Sequence, residues 1–457
     1  MTDADAPFPA ERRTRLAVAV LLAALAAAPA VAQPLSVEDA VGLALSQNPD
    51  VRAAAERIGE AEARLGEATS AFYPRVDGRI GFARTDNPAQ AFAMILNQRK
   101  FNFDLNFNNP GPTQDVRPEI VGAFPIFRGG QDYLRRQAAE LGVETAKLER
   151  LAVRNALTEA VIDAFYALVA APQLADSAGA SVRAVNTTLD HARTGFDAGT
   201  VLKSDVLSLE TRLAEAREGQ LRATNAIELA RTGLRTLLGQ PAGQPLEITP
   251  PVGDTTPTLP DTADAAVTRA TAARPEVGAA ASQVAMRERE VKAERAAYLP
   301  TIDIVGGYGN DSSDFQLSHN TDSWLVGATA ELNIFSGFRT REKVRAAESQ
   351  LAQAREVERR TRLEVEREAQ NAFLSYGEAR QRDAVSQSGL AAAEAALRLV
   401  EEQYRAGTVT VTRYLEAEAA RSAAQSRAIV ARYDVRRADA ALQKAIGAWA
   451  DDEGLTP

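Results

Sequence analysis

Histidine occurs twice in the 457 residues, as His191 and His319, and cysteine not at all. A serine–histidine–aspartate triad or a multi-histidine metal site therefore has little to draw on. A cysteine nucleophile, a zinc–thiolate centre and a disulfide are excluded. No G-x-x-x-x-G-K-[ST] loop is present to cradle a nucleotide phosphate. No catalytic residue, no metal site and no cofactor is expected. The residues left with work to do are of two kinds. The first is a pair of tight-turn sequences, Gly199-Thr200 and Gly407-Thr408, with Ser204, Asp205, Tyr404, Arg413 and Glu416 close by. Glycine permits a helix to reverse without a Cβ clash. The second is a set of charges alternating with apolar residues: Arg75, Asp77, Arg79, Asp303 and Glu331.

The composition says what elements position them. Hydrophobic residues make up 45% and aromatics only 6%, and the Ala-, Leu-, Glu-, Arg- and Gln-rich remainder favours long helices. A net charge of −9 argues against nucleic acid as a partner. Residues 1–32 read as a signal peptide: basic Arg12, Arg13 and Arg15, an apolar stretch from Leu16 to Ala28 too short to span a bilayer, and a small-x-small site at Ala30-Val31-Ala32. Beyond it no run of 18 apolar residues occurs, so an exported chain without a transmembrane helix is expected.

The two halves of the chain repeat. Asn48-Pro49-Asp50-Val51 matches Arg274-Pro275-Glu276-Val277 at an offset of 226, and Phe196-Asp197-Ala198-Gly199-Thr200-Val201 matches Tyr404-Arg405-Ala406-Gly407-Thr408-Val409 at 208. Between Pro74 and Phe127 lie 53 positions, against 35 between Pro300 and Phe335, so the first half carries 18 extra residues. They fall near Asn87 to Pro118, where a loop is expected. Each half reads as helix, two strands, a very long helix, a turn and a return helix. The expected organisation is a first repeat over 33–240 with a hairpin near 75–127, a Pro-rich linker over 241–261, a second repeat over 262–447 with a hairpin near 301–335, and a tail over 448–457. The first helices are expected near 36–70 and 262–297, the long ones near 130–193 and 340–406, and the return helices near 203–238 and 412–446.

In Arg75 to Phe82 the residues Val76, Gly78, Ile80 and Phe82 alternate with Arg75, Asp77 and Arg79. Trp324, Val326, Ala328 and Ala330 alternate in the same way before Glu331; Ile302, Ile304 and Tyr308 oppose Asp303; and Ile120, Phe124 and Ile126 share a face. This period fits a membrane barrel and a half-buried soluble sheet alike. Four strands cannot close around a channel, so a membrane reading demands several chains in one barrel, and three chains give twelve strands.

The layout resembles the TolC family of outer-membrane efflux proteins over nearly all of the chain beyond residue 32. The resemblance rests on Leu35 to Pro49, on Tyr73-Pro74 and Leu299-Pro300 before the strands, on Ile126-Phe127-Arg128-Gly129-Gly130 and Ile334-Phe335-Ser336-Gly337 before the long helices, and on the paired aromatic-x-Ala-Gly-Thr turns. It implies a mainly α fold with a four-stranded antiparallel β contribution. The duplicated helical hairpins would form an α-helical barrel, and a 12-stranded transmembrane β-barrel would be shared by a homotrimer in the outer membrane. It further implies outer-membrane lipid, a periplasmic adaptor (membrane fusion) protein and an inner-membrane pump of RND or ABC type as partners, in tripartite efflux or type I secretion. Export would be passive and gated, of small molecules or polypeptides.

By the same resemblance the turns at Gly199, Thr200, Gly407 and Thr408 are the periplasmic tip, where adaptor and gate meet. Ser204, Asp205, Tyr404, Arg413 and Glu416 are gate candidates, and Arg75, Asp77, Arg79, Asp303 and Glu331 face the barrel lumen. Ser204 and Asp205 also suit a helix N-cap. The family's latch arginine is replaced by Val409, and Arg413 stands where an acidic tunnel residue is found. A pairing of Asp205 with Arg413 is one alternative for the closed state. A coiled-coil periplasmic adaptor or structural protein without a channel is the competing class; it would need lipoyl-like and β-barrel domains instead of paired strand pairs.

Overall fold

The computed structural model describes residues 34–250, 259–316 and 319–449. The signal-peptide expectation and most of the tail lie outside the described residues. Helices α1 (Val37–Gln47) and α2 (Pro49–Ser70) lead into strand β1 (Arg75–Thr85). Helix α3 (Pro88–Asn97), strand β2 (Thr113–Arg128), the long helix α4 (Gln131–Asp197) and the return helix α5 (Lys203–Leu237) complete the first half. The second half gives α6 (Ala263–Ala273), α7 (Pro275–Ala296), β3 (Thr301–Asn310), β4 (Asp322–Glu331), α8 (Arg339–Arg405) and α9 (Val411–Ala445). The long helices α4 and α8 have 67 residues each, and α5 and α9 have 35 each. At 1.5 Å per residue the long ones extend about 100 Å.

The single first helix expected in each half is in fact two. Asn48 and Arg274 have extended backbones, at φ −63°, ψ 131° and φ −69°, ψ 125°, because the following proline disfavours helical geometry in the residue before it. Pro49 and Pro275 then occupy the first position of the next helix, where their missing N–H costs nothing. The interruption is filled differently in the two halves. The Asn48 side chain accepts from the Asp50 N–H, capping α2, and donates to the carbonyl of Leu237 at the end of α5. Arg274 is buried and grips Glu276 at 2.8 Å and Glu368 of α8 at 3.1 Å.

The core obeys the repeat. Leu157, Val161 and Leu234 sit with Ala44 and Val51 in one cluster. Their counterparts Val365, Ala369, Ala270 and Val277 form a second, and Leu442 with Ala266 a third. Gly239 and Gly447 close α5 and α9 at φ +70° and +68°; a Cβ there would come within 2.8 Å of Gln47 and Ala273, so both glycines are also required for space. One stretch of α4 is apolar enough by composition to cross a membrane, but half of it is buried. Leu157, Val161, Phe165 and Leu168 of the same helix lie in the first cluster.

Helix α9 lies along α4 and is tied to it by polar contacts at several levels. Tyr433 pairs with Gln173, Arg437 with Asp163 at 2.5 Å, and Lys444 with Glu159 at 3.2 Å. Helix α5 packs on the other flank of α4, and α8 packs against α6, α7 and α9.

The four strands form one antiparallel sheet in the order β1-β2-β3-β4. Register pairs Ile120 with Tyr308 and Tyr308 with Trp324, and Val76 with Gly122, on one face. A bulge at Ile126 shifts the alternation, so Phe127 instead of Ile126 is in register with Ile302. The loop expected over Asn87 to Pro118 is partly structured. It holds α3, capped by Asn87, and β2 already begins at Thr113. Phe92 packs edge to face on Phe101 and on Phe107, which lie tilted against each other, and this is how a polar-looking insertion acquires a small apolar cluster of its own.

Candidate functional site

The tip is built by two turns of one chemistry. Ala198 and Ala406 end the long helices, and Gly199 and Gly407 follow at φ +76° and +72°. The Gly199 N–H donates to the Phe196 carbonyl at 2.9 Å and the Thr200 N–H to Gly195 at 2.8 Å. Gly407 donates to Tyr404 at 3.0 Å and Thr408 to Gln403 at 2.9 Å. Each is a Schellman closure, satisfying carbonyls that the helix end orphans. The threonine is explained by the same need: the Thr200 and Thr408 hydroxyls donate to the Gly195 and Gln403 carbonyls, at 3.0 and 2.9 Å. An added Cβ on Gly199 or Gly407 would meet nothing within 4 Å, so backbone conformation, not space, selects glycine here.

The return helices begin where they were expected, at Lys203 and Val411, but neither Ser204 nor Asp205 is the cap of the first. Leu202 is the N-cap of α5, without a side-chain cap, and Ser204 and Asp205 lie inside the first turn. Asp205 contributes there by its charge at the positive end of the helix. At the second turn Thr410 caps α9 by accepting from the Arg413 N–H at 3.4 Å. Arg413 pairs with Glu416 on its own helix at 3.2 Å, and both side chains are mostly exposed. The chain thus brings Arg413 and Glu416 together and does not pair Arg413 with Asp205.

Tyr404 stacks on Tyr414 with ring centroids 5.4 Å apart. Both belong to a cluster that includes Val185, Leu189, Leu209 and Val411 or rest against it. Burial pushes the Tyr404 hydroxyl above its ordinary pKa, and the negative charge of Asp205 adds to this. Burial likewise raises Tyr414, outweighing the hydrogen bond from Thr188, which is 2.9 Å long. One turn further along α9, Glu418 is wholly buried. It accepts from the Ser181 hydroxyl of α4 at 2.6 Å and faces Arg212 of α5 and Arg421 of α9, each at 3.5 Å. This carboxylate ties three helices together and is not among the residues expected from the sequence. Its only signal in the sequence was an acidic residue one turn after Tyr414 and Leu415, on the helix face they share with Val411.

The sheet offers the second site. Arg75, Asp77, Arg79, Asp303 and Glu331 all lie on one face, opposite Val76, Ile80, Ile304 and Trp324. The charges are paired along that face: Arg75 with Asp77 at 2.9 Å, Arg117 with Glu119 at 3.3 Å and Arg128 with Asp303 at 3.7 Å. The apolar face is uncovered: Val76, Ile80 and Phe82 are about two-thirds exposed and Trp324 is 77% exposed. Exposed aromatics mark both ends of it. Phe82, Tyr308 and Trp324 stand at the loop end, and Tyr73, Tyr298 and Phe335 at the helix end. Among the described residues no group of three or more His, Cys, Asp or Glu side chains is arranged to hold a metal ion. His191 is exposed on α4 and His319 lies between β3 and β4.

A family model described as outer membrane efflux protein matches residues 40–240 and 266–448. Among curated relatives, protein CyaE of Bordetella pertussis is 26% identical over 439 residues, covering 92% of this chain and 88% of its own. The pyoverdine export outer membrane protein OpmQ of Pseudomonas putida is 23% identical, covering 90% of this chain and 86% of its own. The fold is similar to that of the CmeC outer membrane channel of Campylobacter jejuni, with a TM-score of 0.80 at 18% identity, over 90% of this chain and 85% of that one.

Proposed function

The chain belongs to the outer membrane efflux protein family, and on that premise we propose that three copies form a gated export duct of the outer membrane. The family's members are channel proteins of the outer membrane that extend into the periplasm, not enzymes. The observation that carries the finer reading is the sheet: four strands in sequential order, with β1 and β4 as open edges and an uncovered apolar face. Open edges cannot face lipid, because their N–H and C=O groups would find no partner there. Pairing β4 of one copy with β1 of the next closes twelve strands with no edge left. The aromatic rows support the same reading. They stand roughly ten residues apart along a strand, about 33 Å, or about 25 Å across a membrane at the usual tilt. The paired charges then line the lumen.

In this reading the helices continue the barrel into the periplasm as a tunnel, and the two Ala-Gly-Thr turns are its tip. The closed state is held by small contacts around Tyr404, Tyr414, Asp205 and Glu418. Exposed pairs such as Arg413–Glu416 each contribute about 0–1 kcal/mol, weak enough for an adaptor to replace. An adaptor that binds the open tip more tightly than the closed one shifts the population toward open, and transport energy comes from an inner-membrane pump. The cargo is a small molecule or a polypeptide. The residue ranges 33–240 and 262–447 are the two repeats of the duct, joined by the 241–261 linker. The test is fractionation with native mass determination: the protein is expected in the outer membrane as a trimer. In planar bilayers it should conduct poorly until Asp205→Ala loosens the tip. A soluble periplasmic monomer would sink the reading and favour the coiled-coil adaptor class.

A further inference from the structure

The second long helix begins in a way that its own stability does not favour. Its N-cap, Phe338, has φ +65°, in the left-handed region that crowds any residue with a Cβ and a bulky one most. At the same position of α4, 208 residues earlier, the repeat has Gly130 with φ +80°. The Phe338 ring does not offset this by burial, because it is 58% exposed. It meets Phe335 edge to face at 5.4 Å and carries the Arg341 guanidinium 4.8 Å above its centroid. A strained residue that its own chain leaves uncovered fits a position held for a partner.

The charges that follow are placed against the helix dipole. Arg339, Arg341, Lys343 and Arg345 are exposed in the first two turns of α8, with Glu342 the one acid among them. A helix N-terminus favours negative charge, so four cations there repel the helix end and one another. Glu342 pairs with Arg341 at 2.9 Å and with Arg345 at 3.7 Å. Arg339 and Lys343, four residues apart and so on one side of the helix, have no acidic partner among the described residues. The start of α4 is different: Asp132 pairs with Arg128, Arg135 with Glu294 and Arg136 with Glu140.

We infer that the start of α8 is a headgroup site for an anionic phospholipid of the periplasmic leaflet, with the phosphate against Arg339 and Lys343 and the acyl chains along Ile334, Phe335 and Phe338. The inference rests on the outer-membrane duct reading above. Two observations select a lipid over a free anion or a purely apolar partner. The cations adjoin a strongly exposed apolar run, in which Ile334 is 93% and Phe335 72% exposed. That run follows the uncovered apolar face of β4 at the helix end of the sheet, where in the duct reading Tyr73, Tyr298 and Phe335 stand at the edge of the bilayer. An anionic lipid supplies both missing halves: negative charge for the helix end and an apolar phase for the rings. Because α4 has neither the aromatic cap nor the free cations, the site belongs to the second repeat alone, one per chain.

The test uses the full-length protein in mild detergent, titrated with phosphatidylglycerol or with zwitterionic phosphatidylcholine and read by native mass spectrometry. Phosphatidylglycerol should be retained on the order of tenfold more strongly, as two free cations against a negative headgroup imply, and the preference should fall with added salt. Arg339→Glu/Lys343→Glu should remove the preference. Arg359→Glu/Arg360→Glu, the same change about 25–30 Å further along α8, should keep it. Phe338→Gly should retain less of either lipid yet melt no lower than the parent in lipid-free detergent, because glycine relieves the backbone. Equal retention of the two lipids, or a preference that survives Arg339→Glu/Lys343→Glu, overturns the headgroup site. A preference lost equally in Arg359→Glu/Arg360→Glu overturns its location. A Phe338→Gly protein that melts lower and holds lipid as before overturns the role of the ring. A parent protein that is a soluble monomer before any lipid is added sinks the duct reading itself, so the two failures are distinguishable. Recovery of each variant in the parent's oligomeric state establishes that the substitutions do not prevent folding.

Discussion

At the residue scale the tip is held by groups that are individually replaceable and differ in how hard they are to remove. Gly199 and Gly407 sit in the left-handed region, where a side chain costs about 1–2 kcal/mol through Cβ–carbonyl contact. Gly199→Ala and Gly407→Ala should each lower stability by about that amount in thermal or denaturant melts, without a packing clash to add to it. Glu418 is a different case. Truncation to alanine removes the partner of Arg212, Arg421 and Ser181 at a site with no access to water. A cost on the order of 3 kcal/mol is expected, with larger conductance in bilayers because α9 is released from α4 and α5. Glu418→Gln should recover part of the loss by keeping the bond from Ser181. The tyrosines give a pH dependence of defined sign. A hydroxyl whose folded pKa is raised contributes stability that is fully present below its ordinary value of about 10 and lost as pH rises through the raised value. Burial raises both Tyr404 and Tyr414, so the tip should loosen in alkali, and Tyr404→Phe/Tyr414→Phe should remove that response. An alkaline conductance rise unchanged in the double variant would dissociate the rings from the gate.

At the element scale the junctions between the short helices show how a repeat diverges while its geometry stays. Both breaks are dictated by X-Pro, yet Asn48 satisfies its junction with hydrogen bonds and Arg274 with a buried charge triad. Burial by itself would raise the Glu276 carboxyl, but the hydrogen bonds and charge of Arg274 outweigh it and hold it below the ordinary value. A depressed carboxyl contributes stability that is present above its ordinary value of about 4.3 and lost as pH falls through the depressed one. The second repeat should therefore be the more acid-labile of the two. Arg274→Ala should flatten the acid limb of the stability curve while lowering stability at neutral pH, as followed by melts from pH 7 to pH 3. An unchanged acid limb would assign that sensitivity elsewhere. The helix break was readable as a proline after Asn48 and Arg274, but proline alone does not distinguish a kink from a new cap. The orientation of α1 and α6 follows from their packing against α4 and α8, and this is a long-range property.

At the scale of the whole molecule the two faces of the sheet give the proposed assembly its test. Ile80 on the uncovered face and Arg79 on the charged face are neighbours in sequence and point apart. Ile80→Arg should cost about 2–4 kcal/mol if that face meets the middle of a bilayer, and should reduce the trimer recovered from the outer membrane. Arg79→Ile, on the other face, should leave assembly intact and alter ion selectivity instead. Equal losses for both variants would place the sheet in water. The sequence by itself determined the repeat and its two offsets, the strand alternation, the length of the helices and the glycine turns. Each of these is written in local spacing: period two, period 3.6, and residues that tolerate positive φ or forbid helix. Only the tertiary structure decided that Phe127 replaces Ile126 in register, that Arg413 pairs with Glu416, that the inserted segment builds α3, and that Glu418 is buried among three helices. The strand register and the burial of Glu418 are fixed by contacts between residues more than a hundred positions apart, and the ion pair and the inserted helix by which of several local partners the packed chain leaves within reach; local spacing carries no information about either.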